Sequence, residues 1–465
     1  MPETSQPGVA RGRVAVALNA RLALLLAFAF AVMADPVSSV AYAIEAALRA
    51  LDGDLGLLLP AMTLVVAVIA LVIVNYQQLI ARYPQGGGAS AATGEAFGEG
   101  WAFVPIAALI VDFVLTIAIS VSAGASAMIA YIPALAPERS VLALALVVLV
   151  GAATWFGHSG RMVFGAMTIA FIAVSMAVLA FGLGAHPQPI GTITTTAGHR
   201  SVLAVVLAFP VAMALATGVE APSSAIAQLG QLDDRGRRYF GKVTLWLTLA
   251  IVGAITLGLT LEAHHLRVGV PPEGTTQIAE LARIAAPAPL FAAFQLVTAL
   301  LLLSAASSSF QAGPGLLKAL ARHTDAAGRS TGILPRMLAR TNTRHTPYWG
   351  VAWFTGIAAA VTVAAGGYDQ RLVLFYAVAV FLSFLAGLVA MAVFSHREGR
   401  FRSLMLNIVG VVVVGFTLLV NLARGEPVFS LLVALLLAAG LHLMWVKAGR
   451  PRGVGDVEAL AEGGT

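Results

Sequence analysis

Long apolar runs recur from one end of the chain to the other. They lie at residues 16–50, 55–81, 97–131, 140–156, 162–183, 201–229, 239–262, 287–317, 348–366, 371–394, 403–422 and 427–446. Each is long enough to cross a hydrocarbon core about 30 Å thick as a helix. In hydrocarbon every backbone N–H and C=O must pair internally, which leaves helices or a closed barrel. A barrel strand has about 10 residues of alternating polarity, whereas these runs are longer, rich in Ala, Leu and Val and without such alternation. The expectation is an all-α polytopic membrane protein of about twelve spans. A single transmembrane domain, 16–446, would stand between a tail at 1–15 and a short tail at 447–465. Composition closes the soluble alternative: 59% of residues are hydrophobic and 11% charged, too little charge to cover a water-facing surface.

Charge placement orients the spans. With the N-terminus inside, 21 of the 28 Lys and Arg residues fall in inner segments and 7 in outer ones. That bias predicts both termini in the cytoplasm, and so an inner-membrane protein. One missed span would swap the sides of every later loop and erase it. The net charge of +6 is therefore a topology signal. No Lys/Arg block interleaved with aromatics points to nucleic acid. A cleaved signal peptide ending at Val32-Met33-Ala34 is the alternative for the start. It would leave Asp35 as an outer N-terminus and degrade the charge bias. The chain has no cysteine, which excludes disulfides and thiolate metal sites. The Gly-rich tail after Lys447 is expected to be disordered.

The informative residues are acids inside apolar runs, because an ionised side chain at mid-membrane costs several kcal/mol. Asp35, Asp112 and Glu220 stand there. Glu45 sits near the outer end of its span, where solvation accounts for it. Asp35 opens the string ADPVSSVAY. Pro36 removes a backbone donor and disfavours helix before it, and Ser38 and Ser39 offer oxygens to freed backbone groups. Span 6 repeats the pattern in ATGVEAPSSA: Thr217 and Gly218 precede Glu220, Pro222, Ser223 and Ser224, with Gly218 permitting unwinding. Matching interruptions in two halves predict an inverted five-plus-five repeat, about 16–183 and 201–394, with the site between them. Helices at 403–446 are extra. In span 3, Asp112, Thr116 and Ser120 lie at i, i+4 and i+8, one helical stripe. Three carboxylates around one cavity hold protons or attract a cation, which makes proton coupling the natural driving mode. Hydroxyls of Ser38, Thr116, Ser120 and Thr217 suit a hard monovalent cation.

These residues also resemble a known family. DPVSSVAYAIEAAL in span 1, YPQGGGASAATGEAFG at 83–98, IVDFVLTIAISVSAG in span 3, ALATGVEAPSSA in span 6 and LFYAVAVFLSF at 374–384 are similar to the KimA-type potassium importers. Those importers form a KUP-related branch of the amino acid–polyamine–organocation (APC) superfamily. The resemblance covers about 20–445. It implies the LeuT-like five-plus-five fold with helices 1 and 6 broken. It implies a potassium site of Asp35, Tyr42, Asp112, Thr116, Ser120 and Thr217, with Glu220 beside it and a coupling proton. Tyr376 matches the family's span 10 tyrosine, a gating or coupling position that joins Ser38 and Gly218. The sequence departs from the family in reading Asp-Pro-Val where Asp-Ala-Leu is usual. It also ends soon after the last span, where the importers carry a cytoplasmic domain for dimerisation and nucleotide control. A homodimer stays open, but that departure puts dimer formation and nucleotide control by the family's route in doubt.

Two transport readings stay open: a proton-coupled importer of a small cation, potassium first, and an amino acid or amine permease of the same fold. Permeases hold a substrate carboxylate at Gly-rich half-helix N-termini. Span 1 has no glycine between Ala20 and Leu51 and sets Asp35 there instead. Two such charges at about 4 Å repel by roughly 4 kcal/mol at an effective dielectric of 20, although a neutral Asp35 or an amine cargo removes the conflict. No nucleophile motif, metal-ligand cluster or cofactor loop appears, so neither an enzyme nor a cofactor is expected. Gly86–Gly88 reads as a turn or gate. Asp233–Lys242 and the basic loop 318–344 read as solvated inner faces, and Trp349, Trp353 and Trp445 as interface anchors.

Overall fold

The structure is a computed structural model that describes residues 7–157, 160–195, 200–322, 332–425 and 427–463. Residues 1–6 of the N-terminal tail, the last two residues, and 323–331 of the basic loop lie outside the described residues. The chain is an all-α membrane protein. Among the described residues ten helices are long and apolar enough to span, and two shorter apolar helices, Ala20–Val32 and Tyr348–Ala364, complete the twelve expected runs. Two spans start where an Asp side chain serves their free N–H groups. Asp54 Oδ1 accepts from Gly56 and Leu57 N–H at 2.9 and 3.3 Å, which opens span 2 at Leu55–Arg82. Asp233 does the same for Asp234–Leu266, span 7, through Gly236 N–H. Each such cap contributes about 1 kcal/mol.

The two broken spans differ in depth. Span 1 runs as Pro7–Val32, Ala34–Ser38 and Val40–Ala50, interrupted only at Met33 and Ser39. With no glycine there, Pro36 removes one hydrogen bond, and the hydroxyls of Ser38 and Ser39 bond the carbonyls of Asp35 and Pro36, each at 2.7 Å. The result is a kink. Span 6 unwinds fully. The helix Arg200–Ala212 tightens into Met213–Ala216, Thr217 turns extended, Gly218 takes φ +71°, and Ala221–Ala225 resumes. Spans 3 (Phe103–Tyr131) and 8 (Ala288–Arg322) pack against each other, as do spans 2 and 7, while span 3 also lies along span 10, Asp369–Arg397.

Four features depart from the sequence reading. Gly88–Phe97 is a helix, entered through a turn with Gly86, Gly87 and Gly88 all at positive φ. Gln277–Ala285 is a buried helix between spans 7 and 8. Glu45 is not solvated: it is 3% exposed, bonded to Arg49 at 2.8 Å, and its Oε2 accepts from Gln277 N–H at 2.9 Å. The C-terminal segment expected to be disordered is folded, with a turn at Val454–Asp456 and a helix at Val457–Gly463. Its buried Val454, Val457 and Ala461 supply an apolar anchor hidden by the glycines around it.

Candidate functional site

The kink of span 1 and the gap of span 6 meet. Ser39 Oγ crosses to the carbonyl of Leu215 at 3.1 Å. Gly218 lies so close that a Cβ there would stand 2.8 Å from Pro36 Cδ and 3.0 Å from Asp35 Cβ. Beside this contact is a cavity of about 680 Å³, walled by spans 1, 3, 5, 6 and 8, whose lining includes Asp35, Asp112 and Glu220. No Lys or Arg lines it among the described residues. The three acids that the sequence singled out therefore share one space, without a cation to balance them.

Tyr42, Thr217 and Tyr376 sit behind the cavity wall, each 1% exposed or less. Tyr42 is within electrostatic reach of Asp35, Asp112 and Thr217, and Tyr376 of Asp112, Asp35, Tyr42 and Glu220. Thr116 and Ser120 are buried one and two turns along span 3 from Asp112. Buried oxygens without a hydrogen-bond partner include Asp35 Oδ1, Asp112 Oδ1 and Glu220 Oε2 on the cavity lining, and Tyr42 OH, Tyr376 OH, Thr116 Oγ1 and Ser120 Oγ outside that lining. Leaving such a group unpaired costs about 1–3 kcal/mol each, and more when it is charged. An unpartnered hydroxyl alone marks nothing, since Thr244, Thr248, Thr256 and Thr260 along span 7 share that state. Carboxylates beside the hydroxyls distinguish the span 3 stripe. Ser38 and Thr217 differ again, for each donates its proton to a local carbonyl, at 2.7 and 2.6 Å. Each can offer only a lone pair to a ligand, as a cation requires.

Sequence reasoning missed a polar layer on the other side of Tyr42. Gln370 Nε2 donates to the carbonyl of Tyr42 at 3.3 Å and to Asp369 Oδ2 at 2.9 Å. Asp369 Oδ1 accepts from Ser126 Oγ at 2.8 Å, and Arg139 donates to that same Ser126 oxygen at 2.6 Å. Asp369 and Arg139 are 5% and 6% exposed, so spans 3 and 10 are tied by a dry polar link. Both residues read as loop residues beside span ends, where charge is ordinary. Tyr76 of span 2 and Glu458 of the C-terminal helix were missed as well. Tyr76 lies within electrostatic reach of Glu220 and Glu458, and Glu458 lines the cavity itself.

Residues 24–439 match the amino acid permease family. The chain is 29% identical over 364 residues to the potassium transporter KimA of Bacillus subtilis (strain 168). That alignment covers 75% of this chain and 58% of the relative, so the chain matches less than two thirds of the relative's own length.

Proposed function

The chain belongs to the amino acid permease family of the APC superfamily, and on that premise we propose that it imports a small cation, potassium first, with a coupling proton. One observation carries the reading: Asp35, Asp112 and Glu220 share one cavity inside the helix bundle that no Lys or Arg lines among the described residues. Carboxylates at that depth need a proton or a cation. A monovalent cation would be held by Asp35, Asp112, the hydroxyls of Tyr42, Thr116 and Ser120, and the lone pair of Thr217. Glu220 stands on the path toward the face that carries both termini. Similarity to a potassium transporter supports the same cargo. The repeats 16–183 and 201–394 would rock about the contact of spans 1 and 6, as alternating access requires. Positive-inside bias supports a cytoplasmic location for the terminal face, in a cell inner membrane.

A second reading is kept because the family is one of amino acid permeases. An amine or amino acid could dock at the gap of span 6, where the helix Ala221–Ala225 begins. Asp35 disfavours a carboxylate there and favours an amine.

Growth of a potassium-uptake-deficient bacterial strain at limiting potassium separates the two. Rescue by the wild-type chain and not by Asp112→Asn, with uptake abolished by a protonophore, is the expected result. Failure to rescue with both proteins present in the membrane would overturn the potassium reading. Radiolabelled amino acid and amine uptake would then decide the cargo. Uptake that survives the protonophore would overturn proton coupling.

A further inference from the structure

The C-terminal segment is built into the fold. Trp445 Nε1 donates to the carbonyl of Pro451 at 2.8 Å, which turns the chain back under span 12. Both oxygens of Glu99 accept from backbone N–H groups of the segment, Gly453 at 2.9 Å and Val454 at 2.8 Å. Ser90 Oγ donates to the carbonyl of Gly455 at 2.9 Å. Gly455 lies flat on the helix Gly88–Phe97: a Cβ there would stand 3.0 Å from Ala91 Cα. The triple glycine forms the rest of the seat. A Cβ on Gly86 would stand 3.1 Å from Ala459 Cβ, and one on Gly88 3.0 Å from Glu458 Oε2. The helix Val457–Gly463 then reaches the ends of spans 6 and 8, with Gln228 bonded to Glu462.

This seat lies at the polar side of the cavity. Toward spans 1 and 5 the lining is apolar, with Leu24, Phe30, Phe164 and Ile169. Polar lining runs instead from Asp35 through Glu220 and Gln311 to Glu458 and Glu462. A charged or hydrated solute loses least solvation along that polar side. The segment therefore stands across the route between the three central acids and the terminal face.

We propose that the segment Pro451–Gly463 is a plug on the terminal side of the cavity, which blocks exchange with the cytoplasm when seated and must lift in each transport cycle. It occupies space that a passing solute needs, and it is a short element held at its own edges, by polar contacts and three small apolar side chains, with its helix packed on the ends of spans 6 and 8. Such an element can leave and return without unfolding the spans. Such a plug would act alike on an inorganic cation and on an amine.

The absence of cysteine permits a direct test. Ser308→Cys places a single thiol on the cavity lining. In inside-out vesicles its reaction with a charged maleimide measures access from the terminal face. Ending the chain after Gly449 should speed labelling at least tenfold. Gly455→Val, which pushes the segment off Ala91 without removing it, should speed labelling in the same direction. Equal rates in the full chain, the shortened chain and Gly455→Val would overturn the proposal. If the shortened chain fails to reach the membrane, Gly455→Val decides alone, and an unchanged rate overturns it.

Discussion

Gly218 presses against Asp35. An added Cβ at Gly218 would lie 3.0 Å from both Cβ and Cγ of Asp35, and the backbone there holds φ +71°. The gap in span 6 is thus moulded to the kink in span 1, and glycine is needed twice, for its conformation and for its size. Gly218→Ala should cost about 1–2 kcal/mol for the left-handed backbone alone, before the contact with Pro36 Cδ at 2.8 Å is relieved. Asp35 must shift. The expected outcome is a loss of at least tenfold in uptake with membrane abundance kept above half of wild type. Wild-type uptake by this variant would show that the contact does not set the site.

Asp35→Asn and Asp112→Asn should each abolish uptake while the protein still inserts. Replacing a buried acid by its neutral isostere eases insertion and removes the charge that a cation or proton needs. Membrane abundance and uptake measured on the same preparation test this. Full uptake by either variant removes that acid from the site.

How far the sequence revealed this arrangement depended on contrast with the lipid-facing background. Asp35, Asp112 and Glu220 stood out because nothing else in their spans is ionisable near the middle, and the structure brings them to one cavity. Thr116 and Ser120 were singled out by helical spacing; they are buried on span 3 but do not line the cavity. Asp369, Arg139 and Glu45 did not stand out. They sit near span ends, where a charge is unremarkable, and only the tertiary fold shows that they are dry. The C-terminal helix was hidden for another reason: seven residues between glycines carry no periodic signal, and the helix is held by packing on spans 8 and 6, with the turn before it seated on residues 86–99. The kink of span 1 was read as a full break because Pro36 and two serines suggest one. The serine hydroxyls instead keep the local backbone nearly helical.

Thr116→Val and Ser120→Ala should raise the apparent KM for the transported cation more than they lower expression. Each variant deletes an oxygen that has no partner within the protein, so stability loses little and the ligand loses a lone pair. Loss of one such contact, at about 1–1.5 kcal/mol, corresponds to roughly a tenfold rise in KM. Uptake titrated against cation concentration gives the answer. A fall in maximal rate at unchanged KM would assign these hydroxyls to packing.

Asp369→Asn should loosen the seal opposite the plug. The carboxylate accepts from Ser126 and Gln370, and Gln370 in turn holds the carbonyl of Tyr42. An amide keeps the shape but weakens the two charge-assisted bonds. A thiol introduced at Ser120, otherwise buried, should become reactive to a charged maleimide added from the side opposite the termini. If that reactivity matches the parent Ser120→Cys chain with Asp369 intact, the link between spans 3 and 10 is not the outer seal.

The plug itself should respond to pH, through Glu458. Burial pushes its carboxyl up to about 8 from an ordinary 4.5. Around it stand Glu462 on its own helix, Glu220 of span 6 and Tyr76 of span 2, with Ser90 as its hydrogen-bond partner. No cationic group faces it among these. The seated carboxyl binds its proton more tightly than the released one, so seating is fully favoured below about 4.5 and lost as pH rises through about 8. Access from the terminal face should therefore increase as the pH on that face is raised from 6 to 9. Labelling of Ser308→Cys in the full chain, divided by its labelling in the chain ending at Gly449, cancels the ionisation of the thiol. That ratio should climb at least fivefold across the range and stay flat in Glu458→Gln, which remains neutral and seated. An equal climb in the Gln variant would place the sensing group elsewhere, with Glu220 the next carboxylate along the same polar lining.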